Sequence, residues 1–172
     1  MNTWIRAPAL VAILLLGACA GPRPAETLRL PAQLDRLVAE QVVLGADEAL
    51  EAAMADLDST RLDLFFSGRA LETLVDQVGW MRARGIRSEE RSAQRVVASW
   101  DGGANEVVIQ VEAEHRLLSL EQPKPPWSGS VRQWWARLGF GAGAWRVVDD
   151  RDLPPDQWRA VTTSMGGADG LS

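Results

Sequence analysis

Around Ser92 the spacing of apolar residues changes from three and four to two, and this change of period restricts the fold more than any other feature of the sequence. Before it, Leu34, Leu37, Val38, Val42 and Gly45 lie on one helical stripe. The stripe drifts after Gly45, and Asp47 is expected to cap a second helical piece carrying Ala49, Leu50, Ala53, Met54 and Leu57. Asp58-Ser59-Thr60 opens a short helix with Leu62, Leu64, Phe65 and Phe66, and Ser67-Gly68 punctuates it. From Arg69 to Arg84, Leu71, Leu74, Val75, Val78 and Met81 share a face, with Gly85 as the stop.

After the change, Val96, Ala98 and Trp100 alternate, and Asp101-Gly102-Gly103 turns. Val107, Ile109, Val111, Ala113, His115 and Leu117 then alternate with Gln110, Glu112, Glu114 and Arg116, which read as a solvent face. Pro123, Pro125 and Pro126 make Gln122 to Gly129 a loop. Val131 to Phe140 resumes the alternation, and Gly141-Ala142-Gly143 leads into Trp145 to Val148. Helices followed by a three- or four-stranded antiparallel meander define an α+β domain, expected over residues 31–158, with 159–172 as a flexible tail.

Composition excludes several classes of function. One Cys allows no internal disulfide, and one His beside it makes a zinc site untenable without carboxylates, so no metal or cofactor is expected. The net charge is -5, with acids interspersed among the arginines, which argues against nucleic-acid binding.

The N-terminal residues read as an address. Arg6 precedes the apolar run Leu10 to Leu16, and Gly17-Ala18 follows, which is the charged, apolar, small-residue order of a secretory signal over residues 1–18. The run is too short to span a bilayer as a stable helix, which takes roughly 20 residues. Leu16-Gly17-Ala18-Cys19 resembles the bacterial lipoprotein signal. In that family the Cys thiol receives a diacylglycerol and the residue becomes the acylated, palmitate-bearing N-terminus, so the resemblance implies lipidation at Cys19. Ala20 follows where Asp resembles an inner-membrane retention signal. The expected location is therefore the outer membrane of a diderm host, or the outer face of the plasma membrane otherwise. Residues 19–30 would be the lipidated Cys and a proline-stiffened tether.

Leu57 to Leu71, with Phe66-Ser67-Gly68-Arg69-Ala70-Leu71 at its end, looks like the helical half of the nuclear transport factor 2-like cone. Val107 to Glu114 and the closing Gly143-Ala144-Trp145-Arg146-Val147 are similar to its strands, with Arg146 where Lys is usual. The match is nearest the membrane-associated branch that includes the intermembrane-space domain of plastid division proteins, over Pro31 to Asp150. The resemblance implies a curved, cystatin-like sheet wrapped round a helix with a pocket at its wide end. Enzymes of the superfamily use Asp/His or Tyr/Asp pairs there, and this chain has no Tyr and only His115.

Candidate sites follow. His115 sits on the inward alternation, but Glu112 and Glu114 leave the other face of its strand and cannot orient it, so a satisfied strand-end histidine is the plainer reading and no catalytic residue is assigned. A pocket would be lined by His115, Leu71, Val75, Val78 and Val111. Asp149, Asp150 and Asp152 share only charge with a calcium loop. Arg82, Arg84, Arg87, Arg91 and Arg95, interrupted by Glu89 and Glu90, read as a solvated linker. Eight Trp is high for the length, and Trp134 and Trp135 must leave opposite faces of their strand. Trp80, Trp127 and Trp135 are the candidate partner surface. The expected function is a non-catalytic, lipid-anchored envelope module that binds a protein partner or itself. The alternatives are a carrier of a small apolar ligand and an enzyme using His115.

Overall fold

The computed structural model describes residues 34–119 and 124–165; the signal segment, Cys19, the tether and the residues beyond Met165 lie outside the described residues. Helix α1 runs over Arg36–Asp56, a 3₁₀ turn over Leu62–Leu64 and helix α2 over Gly68–Ala83. Strands β1 (Ile86–Asp101), β2 (Glu106–Ser119), β3 (Ser128–Gly141) and β4 (Ala144–Leu153) follow, then helix α3 (Pro155–Ser164). The strands pair antiparallel in sequence order, giving the expected α+β architecture with four strands.

Asp35 caps α1 by accepting the Val38 N–H at 2.8 Å. The helix does not break after Gly45. Asp47 lies inside it, fully buried, rather than capping a new piece. Gly45 lies within the helix where the ring of Phe65 packs against it, 2.5 Å from where a Cβ would stand. α1 ends at Leu57 in the left-handed region, and the Arg82 guanidinium of α2 donates to the Leu57 carbonyl, tying the two helix ends together.

Residues 82–95 are not a solvated linker. Arg82 belongs to α2, Arg84 caps it, and Arg87, Arg91 and Arg95 lie in β1, which starts well before Ser92. Its charged half is a strand because oppositely charged residues of β2 stand directly across from it. Glu89 faces Arg116 at 2.6 Å, and Arg91 faces Glu114 at 3.0 Å. Bulges between Arg91 and Gln94, between Val97 and Ser99, and between Arg137 and Leu138 bend the long strands.

Two apolar clusters lie on opposite sides of the sheet. The larger joins Val43, Leu50, Leu62, Phe66, Leu74 and Val78 to Ile109, Val111, Trp134 and Val147 on the face covered by α1 and α2. Segment 65–67 is stitched to β4 by Val147 N–H to Phe65 O at 2.8 Å and Ser67 N–H to Val147 O at 2.9 Å. The smaller cluster holds Val108, Trp135, Leu153 and Met165, with Trp158 and Val161 packed against it. The chain after Trp158 is thus not a flexible tail as far as Met165: α3 covers the second face of the sheet and buries Trp135 there.

Candidate functional site

Period two explains which charges reach the helix-covered face. Trp134 and Ala136 point to it, so Arg132 of β3 does as well, and on β4 the cross-strand partners Asp152 and Asp150 join them. Asp149 and Arg151 leave the other side, where Asp149 pairs with Arg137 at 3.1 Å and Arg151 lies over Trp135. From α1, Asp47 and Glu51 are one turn apart on the stripe that carries Val43 and Leu50.

These groups form a connected network. Asp47 accepts Arg95 Nε at 2.6 Å on one carboxylate oxygen and Arg132 Nη2 at 2.5 Å on the other. Arg95 also reaches Glu90 at 2.5 Å, and Arg132 reaches Glu51 at 3.4 Å and Asp152 at 3.6 Å. A carboxylate this deep is tolerated because two guanidiniums replace its water.

Beside the network is a cavity of about 280 Å³ between α1, α2 and the sheet. Its floor is apolar, from Leu50, Met54, Leu74, Val111, Ala113 and Trp134. Polar groups stand round it: Glu51, Glu90, Arg132, Asp150, Asp152, and His115 with Ser130. Gln77 and Asp152, both exposed, lie at its mouth. Two other hollows, of about 310 and 400 Å³, lie between α1 and the segment from Asp58 to Phe65, and over Glu112–Glu114 of β2 and Gly129–Val131 of β3 beside Ser92.

Burial sets the proton affinities in the cavity. It pushes the Glu51 carboxyl up from 4.5 to about 7, with Glu90 and Asp47 adding to the rise and Arg132 and Arg95 opposing it. Asp150 is also raised, first by burial and then by Asp149 and Asp152, against the hydrogen bond it accepts from Trp134 Nε1 at 3.1 Å. Among the described residues, no group of three or more His, Cys, Asp or Glu is placed to hold a metal ion.

The predicted pocket residues divide. His115 and Val111 line the cavity. His115 Nδ1 lies 3.1 Å from the Ser130 hydroxyl, so its ring is held by a neutral partner on β3 rather than by a carboxylate. Leu71, Val75 and Val78 do not line it: Val78 is buried in the core, Leu71 packs at its edge and Val75 turns outward. α2 offers Leu74 and Gln77 instead, and α1 supplies a wall that the alternation in the strands did not suggest. The signal for Asp47 and Glu51 was present as two acids on an otherwise apolar helical stripe.

The predicted aromatic surface also divides. Trp80 is 51% exposed, with the Arg84 guanidinium 4.3 Å from its ring centre. Trp127 is half-buried between Arg91 at 4.3 Å and Arg116 at 4.1 Å, which pin its loop to the sheet. Trp135 is 8% exposed beneath α3 and is not available to a partner. It was expected to be free because its strand neighbour fills the main core; a second layer of helix fills the opposite side.

No family model matches the sequence, and no curated protein matches it. Among solved structures, the intermembrane space region of chloroplast protein ARC6 superposes over 71% of this chain and 98% of its own, with a TM-score of 0.58 and 14% identity. The two proteins share a fold. A protein with a cystatin-like fold from Caulobacter vibrioides covers 73% of this chain and 97% of its own, at a TM-score of 0.42 and 10% identity. At these identities the likeness to ARC6 is one of architecture alone. It agrees with the resemblance read from Phe66–Leu71 and Gly143–Val147, and places the helices and four strands as that resemblance implies.

Proposed function

We propose that this chain is a lipid-anchored envelope protein whose α+β domain is a non-catalytic module that binds a small ligand in the cavity between its helices and its sheet. The observation that carries the reading is the cavity itself, about 280 Å³ and close to the smallest pockets that enclose small molecules. Its walls combine an apolar floor with a few convergent polar groups, a lining suited to an amphipathic molecule rather than a wholly apolar one. His115 Nδ1 is held by the Ser130 hydroxyl, while Glu90, across the register from it, is engaged by Arg95, which favours binding over catalysis.

Cys19, after the apolar run and the small residues, supports an acylated anchor, with the bilayer as the first partner. Ala20 favours the outer membrane in a diderm host. The acidic balance gives nucleic acid no field to bind. A second reading, docking to a protein partner or to a second copy, is favoured by exposed Trp80, with Arg84 stacked on it.

Native mass spectrometry of the full chain, extracted from its own envelope in non-ionic detergent, tests both readings. A reproducible adduct of small mass supports the ligand reading. A dimer or a stoichiometric protein adduct with no small mass favours docking and abandons the first. Separately, Cys19→Ser should move the chain from the membrane to the soluble fraction; retention in the membrane would sink the anchor.

A further inference from the structure

We infer that the ligand of this cavity is a small organic cation with an apolar body, its ammonium or amidinium group against Asp150 and its body over Trp134 and Leu74. This rests on the reading that the cavity binds a small molecule, and adds the charge that molecule must carry. Five carboxylates, those of Asp47, Glu51, Glu90, Asp150 and Asp152, stand in or behind its wall, facing the two guanidiniums of Arg95 and Arg132. Both guanidiniums are already engaged. Arg95 holds Asp47 and Glu90, while Arg132 holds Asp47, Glu51 and Asp152. An anion entering the cavity would have to displace one of these pairs.

Asp150 is the exception on the acidic side. Among the described residues it accepts one hydrogen bond, from Trp134 Nε1 at 3.1 Å, and no guanidinium reaches it. Its carboxylate therefore stands half-buried at a wall whose adjoining surface is indole and aliphatic carbon. That arrangement fits a cationic head joined to an apolar body, which places a charge by the carboxylate and covers the floor in one step. Burial raises the proton affinity of Glu51, faced by Glu90, Asp47, Arg132 and Arg95, and of Asp150, faced by Asp149 and Asp152, so a positive group beside them is favoured over an anion.

Three probes of one shape and different charge test this: phenethylamine, 2-phenylethanol and 3-phenylpropionate, titrated calorimetrically at pH 8 into the full chain in non-ionic detergent. Phenethylamine is expected to bind at least about tenfold tighter than either of the others. Asp150→Asn keeps an acceptor for Trp134 and should reduce that advantage to within about threefold, with an unchanged thermal melt. Should Asp150→Asn fail to fold, Asp150→Ser, which also leaves Trp134 an acceptor, gives the same comparison. Tighter binding of 3-phenylpropionate, or an advantage that survives loss of the Asp150 carboxylate, overturns the inference. Equal binding of all three removes the cation assignment and leaves the ligand reading standing. If none binds at millimolar concentration, both fall together.

Discussion

Asp47 and Arg95 meet at 2.6 Å where the carboxylate side chain is 1% exposed and the guanidinium 13%, so a helix residue and a strand residue 48 positions apart neutralise each other inside the fold. Arg132 completes the pairing from β3. Removing Asp47 would leave two guanidiniums buried against carboxylates that hold them only from the cavity side. Asp47→Ala is therefore expected to cost about 3–5 kcal/mol of stability in urea titrations followed by circular dichroism. A loss within that of ordinary surface substitutions, about 0.5 kcal/mol, would mean that water reaches the pair.

Glu51 makes stability depend on pH in the direction opposite to a paired surface acid. Its folded pKa of about 7 lies above the usual 4.5, so the folded chain keeps this proton after the unfolded chain has lost it. Stability from this group is complete below about pH 4.5, falls as pH rises to about 7, and is level above. Glu51→Gln should be more stable than the parent by about 2 kcal/mol at pH 8 and equal to it at pH 4, the shift being discounted for partial exposure. Parallel stability-against-pH curves for the two proteins would contradict this.

Two helical glycines should respond in opposite senses to alanine. Gly79 in α2 has nothing within 4 Å of an added Cβ, so Gly79→Ala should raise stability by about 0.5–1 kcal/mol through helix propensity. At Gly45 the new Cβ would lie 2.5 Å from the Phe65 ring. The ring must then shift, and Gly45→Ala should lose about 1–2 kcal/mol despite the same propensity gain. Thermal melts of the two variants decide the matter; a gain at both would show that Phe65 moves aside freely.

Trp158 is the clasp of the second apolar layer. Its indole N–H donates to the Leu153 carbonyl at 2.5 Å, and its ring packs against the cluster of Val108, Trp135, Leu153 and Met165. Trp158→Ala is expected to cost about 1–3 kcal/mol and to speed amide hydrogen exchange in α3 and the adjoining end of β4, leaving α1 and α2 as slow as before. Uniformly faster exchange would show that α3 is part of the main cooperative unit.

Where alternation or a helical stripe was strong, the local reading reached the right element: Leu71, Leu74, Val78 and Met81 for α2, and Val107 to Ala113 for β2. It stopped short at residues 86–91, where a strand of Ile, Arg, Ser and Glu carries no alternating apolar signal and is held by its pairing with β2, with Glu89 and Arg91 meeting Arg116 and Glu114 across the register. It failed at Gly45, where the helix runs on and the glycine makes room for the ring of Phe65, a residue outside the helix. Of the cavity, parity along β2 identified His115 and Val111. The α1 wall was not found, since a helical stripe says which face is inward and not what stands opposite.

The sequence by itself determined that helices precede an antiparallel meander and that Trp134 and Trp135 part to opposite faces, because backbone periods of 3.6 and 2 assign faces without reference to anything distant. Only the tertiary structure decided what each face meets. It brought Asp47, Arg95 and Arg132 together from α1, β1 and β3, left Asp150 beside a cavity with Trp134 donating to it, and laid α3 over Trp135. Electrostatic pairing and burial depend on distance in space, and residues 48 or 85 positions apart acquire that distance only when the sheet closes over the helices.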